Sequence, residues 1–237
     1  MAVYIYSITT KDHPLRLDGL EGVGLSSPPL RTVTAGPLCA VVSDAPEELR
    51  PKRRDIGRHQ EVQQRLLEDG TVLPLRFGYT APDENAVKQA LEERGDEYAD
   101  RMRRVEGCVE YNLKASQDED MLLREILTQS EAARRLNDEI RAGTAEPDAP
   151  LRLGEMVAGE VRARQESLAS GVIEALRPFS REIDSSPPTG EDFLSVSFLV
   201  DDEQEELFLA TELSLTHQMG EGFEFRLNGP LPPYSFS

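Results

Sequence analysis

The sequence has 237 residues, 38% of them apolar, which is enough for one large or two small domains with a filled core. Forty-four acidic against 26 basic side chains give a formal charge of −18, and such a surface repels polyphosphate and anionic lipid, so general nucleic-acid binding and adsorption to acidic membranes are excluded as functions. Two cysteines make no disulfide framework, the longest uncharged window (Thr32 to Ser43) falls short of the ~20 apolar residues of a membrane span, and MAVYIYSITT lacks a basic n-region, so a cytoplasmic protein is expected.

Ala2 to Thr9, rich in Tyr and Ile, and Leu38 to Ser43, rich in small and β-branched residues, read as strands of a buried sheet. The stretch between them, with Gly19, Gly22, Gly24, Pro28 and Pro29, reads as loop. From Lys52 to Asp69 the period becomes helical: Ile56, His59, Val62 and Leu66 share a stripe and Gly70 is the stop. Thr71 to Phe77 is apolar but holds Pro74, which predicts an edge strand or bulge. Thr80 and Asp83 open a helix to about Arg94, and another runs from about Asp96 to Val105.

Cys108 to Lys114 alternates, with Val109, Tyr111 and Leu113 on one face and Glu110, Asn112 and Lys114 on the other. Ser116 and Glu119 make a capping box for one helix ending near Gly143, with apolar positions Leu122, Leu123, Ile126, Leu127, Ala133, Leu136 and Ile140. After a linker from Thr144 to Pro150, a second long helix repeats Val157, Val161, Leu168, Val172, Leu176 and Phe179, with Pro178 to end or kink it. The two would form an antiparallel hairpin. After a loop from Asp184 to Gly190, Phe193 to Val200 reads as a strand. Leu207 to Leu215 alternates like a strand, although Asp202 and Glu205 resemble a helix start. Phe223, Phe225 and Leu227 alternate again, and the proline-rich run beyond them is extended or turned.

No motif encodes catalysis. His13, His59 and His217 share no ligand spacing, and His59 on its apolar stripe reads as a packed core residue rather than a ligand. Cys39 and Cys108 lie on expected strands, as buried small hydrophobes. The acidic clusters Asp118 to Asp120 and Asp201 to Glu203 fall at expected helix starts, where carboxylates favour the dipole, although a hard cation is the other reading. Two features stand out. Arg50, Lys52, Arg53 and Arg54, with Arg58 and Arg65 beyond, put cations at a helix N-terminus; they pair with the chain's own carboxylates or dock an acidic partner. Arg76 is the only charge between Val72 and Tyr79, so it needs a partner in the chain or awaits an incoming one.

Three segments, VYIYSI in the first strand, TVLPLRFG (Thr71 to Gly78) and LNGPLPPYSF (Leu227 to Phe236), resemble in order and spacing the gas vesicle protein family GvpF/GvpL. The resemblance covers nearly the whole chain. It implies an α+β protein with an N-terminal α+β domain over residues 1–105, a modified ferredoxin-like domain with a long helical hairpin over 106–227, and an extended docking tail over 228–237 that packs back on the body. It favours helix for Asp202 to Met219. In the tail, Leu231, Pro233, Tyr234 and Phe236 are the expected anchors, since a proline-stiffened backbone loses little entropy on docking. Leu73, Arg76 and Phe77, with Arg50, Lys52, Arg53 and Arg54, are the candidate partner-binding or structural residues. The implied role is that of a gas vesicle accessory protein in early assembly or a minor structural component. It would contact the apolar shell subunit GvpA and other accessory proteins, without enzymatic activity, cofactor or metal. A general adaptor for apolar clients and a ferredoxin-like small-molecule enzyme are the alternative readings.

Overall fold

A computed structural model describes residues 1–237. The chain divides into two compact units: Met1–Tyr111 with Leu199–Glu203 and Asn228–Ser237, and Asn112–Phe198 with Gln204–Leu227.

The first unit is built on β1 (Val3–Thr10), β2 (Arg31–Ala35), β3 (Leu38–Asp44), α1 (Arg53–Asp69), β4 (Leu73–Pro74), β5 (Thr80–Ala81), α2 (Glu84–Glu93) and α3 (Gly95–Val105). Its sheet runs β2-β3-β1-β4, all antiparallel, and β5 also pairs with β1. The register of β1 on β3 slips between Ile5 and Ser7. This bulge keeps Ile8 on the face of Val3 and Ile5 while Ser7 joins the opposite face, where its hydroxyl meets Gln63 of α1. One face therefore packs Val3, Ile5 and Ile8 against Val87 and Leu91 of α2 and Met102 and Val105 of α3. The other packs Tyr4 and Tyr6 against Val62 and Leu66 of α1. Pro74 limits β4 to two residues, as a missing N–H should. The helix after it is capped by Asp83, whose carboxylate accepts from Ala86 N–H at 2.9 Å, while Thr80 belongs to β5 and caps nothing. The loop reading of the region before β3 misses β2.

The remaining elements are β6 (Cys108–Gln117), α4 (Glu119–Gln129), α5 (Glu131–Ala142), α6 (Ala149–Leu176), a 3-10 turn (Arg177–Phe179), β7 (Glu182–Ser185), β8 (Asp192–Asp201), α7 (Glu205–Met219) and β9 (Phe223–Leu231). Their order is strand, helices, two strands, helix, strand, and the sheet order β7-β8-β6-β9 completes the ferredoxin-like βαββαβ arrangement. Strand β7 was not foreseen. Strand β6 runs to Gln117, so Ser116 is a strand residue and Asp118 caps α4, accepting from Met121 N–H at 2.8 Å. The single long helix expected to Gly143 is two, because Ser130 leaves the helix and its hydroxyl accepts from Ala133 N–H at 3.3 Å as the cap of α5. Helices α4, α5 and α6 pack on one another, so the hairpin is a three-helix cluster. Pro178 does end α6, in the 3-10 turn. The ambiguous Leu207 to Leu215 is helix, with Phe208 packed edge-on against Phe198 at 5.3 Å between centroids.

Candidate functional site

Within the first unit, α1 carries His59 and Gln63 one turn apart against the tyrosines of β1. Tyr4 Oη accepts from Gly78 N–H at 3.1 Å and is hydrogen-bonded to His59 Nδ1 at 3.0 Å. Gln63 donates its two N–H groups to the carbonyls of Tyr6 at 2.5 Å and Leu75 at 3.3 Å, and its Oε1 faces Ser7. His59 Nε2 lies 3.4 Å from both Tyr234 Oη and Gln63 Nε2. Burial pushes His59 down to about 4, so the imidazole is neutral at neutral pH, and burial likewise pushes the Tyr4 and Tyr6 phenols up. A neutral, fully engaged histidine with no nucleophile beside it is a structural residue. Gly78 adopts φ 102, a conformation open to glycine, and this is what presents its N–H to Tyr4 at the close of TVLPLRFG.

The tail lies on the same unit. Phe236 is buried in the core cluster that holds Val105, Cys108 and Leu199; Pro233 is buried and Leu231 is half-buried. Tyr234, raised to about 12 by burial and then by the nearby Glu110 charge, faces His59. Ser235 donates its N–H to Glu110 Oε2 at 2.8 Å and its hydroxyl to Glu110 Oε1 at 2.7 Å. Glu110 itself is buried, contrary to the alternation that put it on the outward face with Lys114. A buried carboxylate must be hydrogen-bonded, and its donors come from a segment 125 residues away, which no local pattern reveals. Gly229 completes the seat: a Cβ there would lie 2.7 Å from Tyr111 Cε1, so LNGPLPPYSF needs its glycine.

The other candidate residues separate. Leu73 is buried in the sheet core, and Phe77 is half-buried with its ring 5.9 Å from Tyr4 and 5.8 Å from His59. Arg76, between them in sequence, is exposed and makes no hydrogen bond or ion pair in the chain. Of the basic run, Arg50 pairs with Glu48 at 2.6 Å and Arg54 with the buried Asp55 at 2.9 Å. Arg58 clamps the preceding loop through the carbonyl of Gly24 at 2.6 Å, Ser27 Oγ at 2.7 Å and Glu21. Lys52 and Arg53 are exposed and have no such partner. The run is therefore partly internal clamp and partly free charge.

No group of three or more His, Cys, Asp or Glu side chains is placed to hold a metal ion. Cys39 and Cys108 are both buried thiols, and burial raises Cys39. No helix is long and apolar enough to cross a membrane.

This arrangement has known counterparts. A family model described as "Gas vesicle synthesis protein GvpL/GvpF" matches residues 2–237. Gas vesicle protein F of Streptomyces sp. (strain CB03234) is 39% identical over 237 residues, covering 100% of this chain and 99% of that protein. Gas vesicle protein L1 of Halobacterium salinarum is 26% identical, covering 92% of this chain and 84% of that one. Among solved structures, GvpF from Anabaena sp. PCC7120 superposes with a TM-score of 0.87 at 22% identity, covering 99% of this chain and 97% of that one. GvpF from Microcystis aeruginosa gives 0.82 at 22% identity, with 99% and 98% covered. On a match across its whole length, the chain belongs to the GvpL/GvpF family of gas vesicle synthesis proteins.

Proposed function

We propose that this chain is a non-enzymatic accessory protein that binds the apolar gas vesicle shell subunit, GvpA, during early assembly. The observation that carries the reading is the family match over residues 2–237, together with the full-length match to gas vesicle protein F of Streptomyces sp. (strain CB03234). The physical logic is that an apolar, self-associating subunit needs a soluble companion until it is incorporated. A charge of −18 keeps such a complex dispersed, while desolvation of apolar surface drives the contact. Lys52, Arg53 and Arg76, exposed and unpaired, would guide acidic groups of the partner and thereby affect approach more than residence. In the same proposal residues 1–105 and 106–227 act as separate domains, with residues 228–237 as a docking tail.

The test mixes the purified chain with the shell subunit, kept soluble as a fusion, across a salt series, and in parallel complements a deletion strain scored for buoyancy. Binding that persists at moderately raised salt, with vesicles restored, is expected. A deletion strain that floats normally, with no binding at any salt, overturns the reading.

A further inference from the structure

The face of the first sheet that carries Ile5 and Ile8 is covered by α2 and α3, and the cover is incomplete. Between them lies a cleft of about 280 Å³. Its apolar wall combines Ile5, Ile8, Val87 and Leu91 with the small side chains of Ala40 on β3, Ala81 on β5, and Ala86 and Ala90 on α2, which leave room among the larger ones.

The mouth has a different chemistry. Tyr79, 54% exposed, and Tyr98 stand there with Arg94 and Arg101. The two guanidiniums share one carboxylate: Glu97 Oε1 accepts from Arg94 Nη2 at 2.8 Å and from Arg101 Nη2 at 2.6 Å. Arg94 adds its Nε to Glu97 Oε2 at 2.8 Å and lies 5.2 Å from the Tyr98 ring centroid, so it is held in place. Arg101 is engaged through Nη2 alone and keeps Nε and Nη1 free. Two cations on one anion leave a surplus positive charge at the mouth of an apolar space, in a chain whose net charge is −18.

We propose that this cleft seats a segment of a protein partner in which a bulky aliphatic or aromatic side chain lies next to a carboxylate. The side chain fills the alanine-lined space and the carboxylate pairs with the free N–H groups of Arg101, whose planar fork suits it. Charge decides between occupants. A neutral apolar segment would desolvate the Nε and Nη1 groups of Arg101, which Glu97 does not reach, and a basic one would meet two guanidiniums at close range. The identity of the partner rests on the reading above: the segment belongs to the shell subunit.

The experiment titrates the wild-type chain, Ala90→Leu and Arg101→Gln with the soluble shell-subunit fusion and records the melting temperature of each. Ala90→Leu fills the cleft from within, so affinity should fall about tenfold or more while the melting temperature holds or rises. Arg101→Gln, at a half-exposed position whose ion pair with Glu97 contributes little to stability, should weaken binding by roughly threefold to tenfold and flatten its salt dependence while the melting temperature changes little. Wild-type binding matched by both variants overturns the cleft while leaving the shell-subunit reading intact. No wild-type binding at any salt removes the shell-subunit reading and this seat together.

Discussion

Strand β1 of the first unit buries seven of its eight residues, whereas α7 of the second, 15 residues long, buries only Phe208. The contrast extends further. On the first unit's sheet, both faces carry packed helices, the cleft beside Tyr79 apart, and the polar groups that reach the interior are hydrogen-bonded. On α7, Leu207, Leu209 and Leu213 face solvent, and the 28-residue α6 buries only Ala149, Val172 and Leu176. Apolar content in the first unit is therefore mostly fold, and in the second much of it remains on the surface. Stability and adhesion should respond to different substitutions, and the comparison can be broken or sharpened accordingly.

The largest effect is expected at the tail. A chain stopped after Leu231 loses Phe236, Tyr234 and both donors to Glu110, and Phe236→Ala alone should cost ~3–4 kcal/mol by cavity creation. Denaturant unfolding measures it, and an unchanged midpoint would show the seat to be dispensable. Next is His59. Its folded value of about 4 lies below the ordinary 6.5, so between those pH values the unfolded chain binds a proton that the folded chain refuses. Stability from this group is whole above pH 6.5 and is lost as pH falls toward 4, by up to ~3 kcal/mol. In His59→Gln that part of the pH slope should vanish, and a slope equal to wild type would assign the acid sensitivity to the carboxylates instead. Ser235→Ala, which leaves one Glu110 oxygen without its donor, should cost about 1–3 kcal/mol. Smallest of all, Leu207→Gln and Leu213→Gln should change stability by no more than about 0.5 kcal/mol, because exposed positions carry little packing. A melting temperature that falls as far as for Ser235→Ala would mean that α7 is not the open surface described.

Much of this was legible in the residues. Strands β1 and β3, helix α1 with His59 inward, and α2 and α3 follow from period and caps alone. The misses have physical causes. The apolar stripe of Ile126, Ala133 and Leu136 continues in phase across Ser130, so periodicity hid a break that a side-chain hydrogen bond creates. Strands β5 and β7 are two and four residues long and exist through pairing, not through a pattern of their own. Glu110 was assigned to the wrong face because its partner is distant. The cleft by Tyr79 was invisible for the opposite reason: alanines in a helix pattern signal good helix propensity, not the space they leave.

The tail also sets an order of events in synthesis. The first unit contains β1 to α3, made early, yet its core includes Leu199 and Phe236, made late. At ~5–20 residues per second, Phe236 follows Val105 from the ribosome by roughly 7–26 s. Throughout that interval the nascent chain presents an unfilled apolar seat and an unpartnered Glu110. The core of the first unit therefore closes only at the end of translation, and a chain cut short before Phe236 leaves that seat open.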